Sequence, residues 1–65
     1  MGFFKNFLKK NGHKIIGDLV QLKINGVEKL IRINTIDKIE QINKSEIAIY
    51  YDGNKILEPL RKIIN

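Results

Sequence analysis

Few side chains in this 65-residue chain could do acid–base, nucleophilic or metal chemistry, and their spacing gives them no partners. The only histidine, His13, follows Gly12 in a lysine-rich stretch, with no further ligand near it at a metal-site spacing. It reads as a solvated linker residue. Ser45 and Thr35 lack a nearby histidine to activate them, and the absence of cysteine removes the thiol nucleophile. The acids Asp18, Glu28, Asp37, Glu40, Glu46, Asp52 and Glu58 are scattered, each beside a turn or opposite a lysine. A glycosidase-like carboxylate pair needs a cleft, and a domain this small has little room for one. Five isolated glycines make no phosphate-cradling run. The expectation is a protein that is not an enzyme and uses no cofactor or metal.

What remains is binding chemistry, and the N-terminus concentrates it. Of the net charge of +5, residues 1–14 supply +4 through Lys5, Lys9, Lys10 and Lys14, with no acid among them. The rest of the chain is nearly neutral, which argues against reading the whole protein as a nucleic-acid binder. At about 100° per residue, Phe3, Phe4, Phe7 and Leu8 share one arc of a short helix, with Lys5, Asn6 and Lys9 opposite. Lys9 and Lys10 suit the negative end of the helix dipole, and Gly12 suits a left-handed cap. Three uses compete for this face. It could cap a sheet, lie on an anionic membrane surface, or grip a partner's groove or single-stranded nucleic acid. A clean phenylalanine face without glycine-rich flexibility favours packing over base stacking.

The elements that must position these residues follow from periodicity. From Ile15 the pattern has period two: Val20, Leu22 and Ile24 share a face, and Asn25-Gly26 is the dipeptide of a type I′ hairpin. A two-residue loop sets Ile24 opposite Val27, Lys23 opposite Glu28 and Val20 opposite Ile31. Ile33, Ile36, Ile39 and Ile42 recur every third residue, which predicts a 3₁₀-like turn around Asn34 to Asp37 and then a strand through Ile42. A helix over Thr35 to Ile42 is the competing reading. Asn43-Lys44-Ser45 turns the chain.

In "IAIYYDGNKILEPL" the Asp52-Gly53 turn pairs Ile49 with Ile56 and Tyr50 with Lys55. Tyr51 then faces the core and Tyr50 faces out. Pro59 suits the first turn of a C-terminal helix with Leu60, Ile63 and Ile64 inward. The expected core is Phe4, Phe7, Val20, Leu22, Ile24, Ile31, Ile33, Ile39, Ile47, Ile49, Tyr51, Ile56, Leu60 and Ile63. Leu19 and Leu30 fall on the opposite face, where a lone domain leaves them wet, so a homodimer is expected.

Length and composition bound the rest. The chain is one small domain without cysteine staples, which favours a reducing, cytoplasmic setting, peripheral to the inner membrane face if the N-terminal helix binds lipid. Isoleucine, lysine and asparagine make up 30 of the 65 residues, a bias expected of an A/T-rich bacterial, phage or plasmid genome. No stretch reaches the ~18 apolar residues of a membrane span. Asn6 stands where a myristoylation signal needs Ser or Thr.

Asn25-Gly26, Asn34, Ile36, Ile39-Glu40, Asp52-Gly53 and Glu58 follow an order over residues 21–64 that resembles the small flagellar accessory proteins of the FlbD/SwrD type and phage-borne meander proteins. The resemblance rests on turn residues and β-patterning, and it implies a β-meander with a non-catalytic accessory role. The expectation for the whole is an α+β fold: a basic amphipathic helix over 1–12, then over 13–65 an antiparallel meander of four to five strands with a short C-terminal helix, packed as one domain. Its expected role is as a protein-binding module that occupies a surface of a larger partner through exposed Tyr50, Lys55, Leu30 and Arg32. The alternatives, membrane-surface or non-specific nucleic-acid binding, use Phe3, Phe4, Lys5, Phe7, Lys9, Lys10 and Lys14.

Overall fold

The computed structural model describes residues 2–61. Its elements are a helix α1 (Phe3–Lys10) and six strands: β1 (Ile15–Ile16), β2 (Leu19–Ile24), β3 (Val27–Arg32), β4 (Ile36–Asn43), β5 (Glu46–Tyr51) and β6 (Asn54–Pro59). The strands form two three-stranded antiparallel sheets, β1-β2-β3 and β4-β5-β6.

Helix α1 ends as its sequence predicts. Gly12 takes φ +94°, its N–H donates to the Lys9 carbonyl, and the His13 N–H donates to the Leu8 carbonyl. Those two bonds are a Schellman cap. Leu8, fully buried, anchors the helix on the core. Phe4 and Phe7 pack half-buried beside it, whereas Phe3 stays 74% exposed.

Both hairpins have the predicted register. Around Asn25 (φ +53°) and Gly26 (φ +81°), Ile24 opposes Val27, Lys23 opposes Glu28 and Val20 opposes Ile31. Around Asp52 (φ +49°) and Gly53 (φ +79°), Ile49 opposes Ile56 and Tyr50 opposes Lys55. Positive φ at both turn positions matches the right-handed twist of the strands they join. A 3₁₀ turn over Ile33–Thr35 leads into β4, so residues 36–42 are strand and the competing helix is excluded. The core between the sheets is Leu8, Val20, Leu22, Ile36, Ile47 and Ile49. Ile24, Ile31, Ile33, Ile39, Tyr51, Ile56 and Leu60 pack partly buried against it. Leu8 and Ile36 were not in the expected core; Ile63 lies outside the described residues.

Three expectations need correction. The strands number six, not four to five, because the Gly17 turn (φ +60°) folds Ile15–Ile16 back on β2 as a separate strand. Pro59 does not open a helix; it ends β6 opposite Glu46. Residues opposite Glu46 stand at a position where the N–H points away from the partner strand, so a proline without one is tolerated. Leu60 and Arg61 have no regular structure, and the remainder of the expected C-terminal helix lies outside the described residues. Lastly, His13 is not solvated. It is buried, as is Glu58, which sits opposite Ile47 on the inner face of β6.

Candidate protein-binding surface

The buried polar residues form one junction that joins α1 to both sheets. In an extended strand, the carbonyl of one residue and the N–H two residues later point the same way. Asn11 uses this on the outer edge of β6: its Nδ2 donates to the Pro59 carbonyl (3.0 Å) and its Oδ1 accepts from the Arg61 N–H (2.7 Å). The carboxamide thereby takes the place of a neighbouring strand. Asn11 Nδ2 also meets His13 Nε2 at 3.0 Å, which fits a neutral imidazole accepting there. Glu58 accepts the Lys23 N–H (2.7 Å) at the edge of β2 and pairs with the Arg61 guanidinium (3.6 Å). Burial lowers the His13 pKa; Glu58 and Glu28 act against that, and Arg61 acts with it. This junction holds the fold together. Nothing in the local sequence announces it, because its partners lie far apart along the chain. Among the described residues no three His, Cys, Asp or Glu side chains converge as a metal site would require.

The expected contact residues fall on two sheets. Tyr50 and Lys55 lie on the outer face of the second sheet, within a set of mutual contacts. The Tyr50 hydroxyl donates to Glu40 (3.1 Å), and the Lys38 and Lys55 ammoniums sit 4.9 Å and 5.7 Å from its ring centre. Glu40 stands opposite Ala48, so the phenol leans diagonally across that small residue, which is fully buried. Tyr50 is therefore half-buried rather than free.

Leu30 and Arg32 lie on the outer face of the first sheet. Leu19 opposes both Ile16 and Arg32, and Leu30 is diagonal to Leu19. Ile16, Leu19 and Leu30 thus make one apolar row across three strands, with Ile16 47% and Leu30 48% exposed. Ile16 was missed at the level of sequence, since its place depends on the Gly17 turn.

The N-terminal candidates divide as well. Phe3 and Phe4 meet edge to face (5.6 Å between ring centres) and, with Lys5, Asp18, Ile33 and Asn34, line an open groove of about 390 Å³. Phe7 faces a smaller hollow with Asn6 and Lys10, and Lys9 and Lys14 are exposed. Among the described residues no helix is long and apolar enough to cross a membrane. The chain matches no protein-family model, no curated protein and no solved structure.

Proposed function

We propose that the chain is a small non-enzymatic binding module that acts by occupying a surface of a larger protein. The contact face is the outer side of the first sheet, and the supporting observation is the half-exposed row Ile16–Leu19–Leu30 beside Arg32. An apolar centre rimmed by an arginine on a rigid hairpin is the composition of a contact patch. An accessory role, as the flagellar likeness implies, would use the same face. The test is affinity capture from the native host with the intact chain and with Leu30→Asp. The reading requires a protein retained by the former and lost by the latter at unchanged melting temperature. Equal retention by both would overturn it.

A second reading is supported by Phe3, which stands 74% exposed among the exposed Lys5, Lys9 and Lys10. That combination suits an anionic membrane surface, where each lysine contributes about 1 kcal/mol. Sedimentation with phosphatidylserine vesicles tests it. Binding that survives Phe3→Ala unchanged would count against insertion of that ring.

A further inference from the structure

We infer that the open edge of β3 pairs antiparallel with the β3 edge of a second copy of this chain, with Leu30 on the two-fold axis and Glu28 opposite the other copy's Arg32. This does not depend on the proposed heterologous partner, because pure protein tests it.

The strand edges differ in how they are closed. β6 is capped at its end by the Asn11 carboxamide, and the far edge of β2 is closed by Lys14 and Glu58. β4 is interrupted by irregularities between Ile36 and Lys38 and between Gln41 and Asn43, a common device against edge pairing. β3 has no bulge and is capped only at the Arg32 carbonyl by Thr35, and all its residues except Ile31 are exposed.

The backbone phase of β3 follows from its neighbour. The Gln21 N–H donates to the Lys14 carbonyl and the Lys23 N–H to Glu58, so both point away from β3. Their opposite residues, Leu30 and Glu28, therefore turn their own N–H and C=O outward, and Arg32 does likewise. The Arg32 carbonyl, at the N-cap of the 3₁₀ turn, is already taken up by Thr35, whose hydroxyl donates to it (2.7 Å), so Arg32 offers the edge its N–H.

Symmetry then restricts the register. Two identical antiparallel neighbours are related by a two-fold perpendicular to the sheet, so one residue must oppose its own copy. With Glu28 or Lys29 on the axis, like charges meet directly. Ile31 on the axis sets Leu30 against Arg32. Leu30 on the axis sets leucine against leucine and forms two Glu28–Arg32 pairs, all on the outer face. The result is a six-stranded sheet that continues the Ile16–Leu19–Leu30 row across both copies. A strand-edge contact alone buries less than the roughly 1,200 Å² of a standard interface, so the association is weak, with a Kd on the order of tens of micromolar.

Sedimentation equilibrium at low salt provides the test. The wild-type chain should dimerise. Arg32→Glu and Glu28→Arg should each weaken that by at least about tenfold, since each sets like charges against each other twice. An equimolar mixture of the two variants should form a heterodimer, because the acids at both positions of one chain then meet the arginines at both positions of the other. Circular dichroism confirms that each variant is folded. If Glu28→Arg, which faces Lys23 in its own chain, does not fold, Leu30→Lys puts two ammoniums on the axis and should weaken the dimer to a similar extent. A wild-type chain still monomeric at about 500 µM, well above the Kd expected of so small a contact, overturns the inference. So does dimerisation unchanged by Arg32→Glu.

Discussion

Asn11 makes hydrogen bonds that no other residue type of its size could make together. It caps the Pro59 carbonyl and the Arg61 N–H as a strand would, and it contacts His13. Asn11→Ala should therefore lower stability by about 2–3 kcal/mol, because partly buried backbone groups lose their partners. Asn11→Asp keeps the acceptor for Arg61 but sets a buried carboxylate oxygen against the Pro59 carbonyl, so it should cost at least as much; the midpoint of urea unfolding measures both. His13 adds a pH dependence. Its folded pKa lies below the ordinary 6.5, chiefly through burial, with Arg61 lowering it further and Glu58, Glu28 and a Gln21 backbone bond acting the other way. As pH falls, the unfolded chain takes up the proton before the folded one does. Stability from this group is thus whole above about 6.5 and declines below it, until folded His13 itself titrates. Thermal melts across that range should show a shallower decline for His13→Gln, and an unchanged slope would count against a neutral buried imidazole. None of this was legible in the sequence. Asn11 lies 48 and 50 residues from its backbone partners and Glu58 lies 35 from Lys23, and no local pattern registers such distances.

The strands and turns were far more legible, because their signals are local. Asn25-Gly26 and Asp52-Gly53 each combine a turn requirement with matching alternation on both sides, and the two registers agree with that reading. Gly26 offers a clean measure of the turn. A Cβ there would meet nothing within 4 Å, so Gly26→Val should destabilise by roughly 1–2 kcal/mol through its φ of +81° alone. The helix was legible in its face and its cap but not in its anchor. All four apolar side chains share the arc, yet only Leu8 reaches zero exposure, while Phe4 and Phe7 pack partly buried against the core and Phe3 is exposed. Leu8→Ala should cost about 2–5 kcal/mol and Phe3→Ala less than about 0.5 kcal/mol. Chemical denaturation of the two variants separates a docked helix from an appendage, and equal effects would refute the docking described.

At the scale of the whole molecule, the two sheets divide the labour. On the outer face of the second sheet Tyr50 is held by Glu40, Lys38 and Lys55, and Leu57, opposite Ala48, stands 51% exposed. The first sheet leaves Ile16, Leu19 and Leu30 in a row beside Arg32, with the β3 edge open next to them. Tyrosine, lysine, leucine and arginine all qualified as contact residues by type. Only the fold separates the occupied set from the available one. The most direct measurement is therefore a comparison of Leu30→Asp with Tyr50→Ala in affinity capture from the native host, both checked for folding. The partner should be lost with Leu30→Asp and retained with Tyr50→Ala; retention by the first and loss by the second would contradict a contact face on the first sheet.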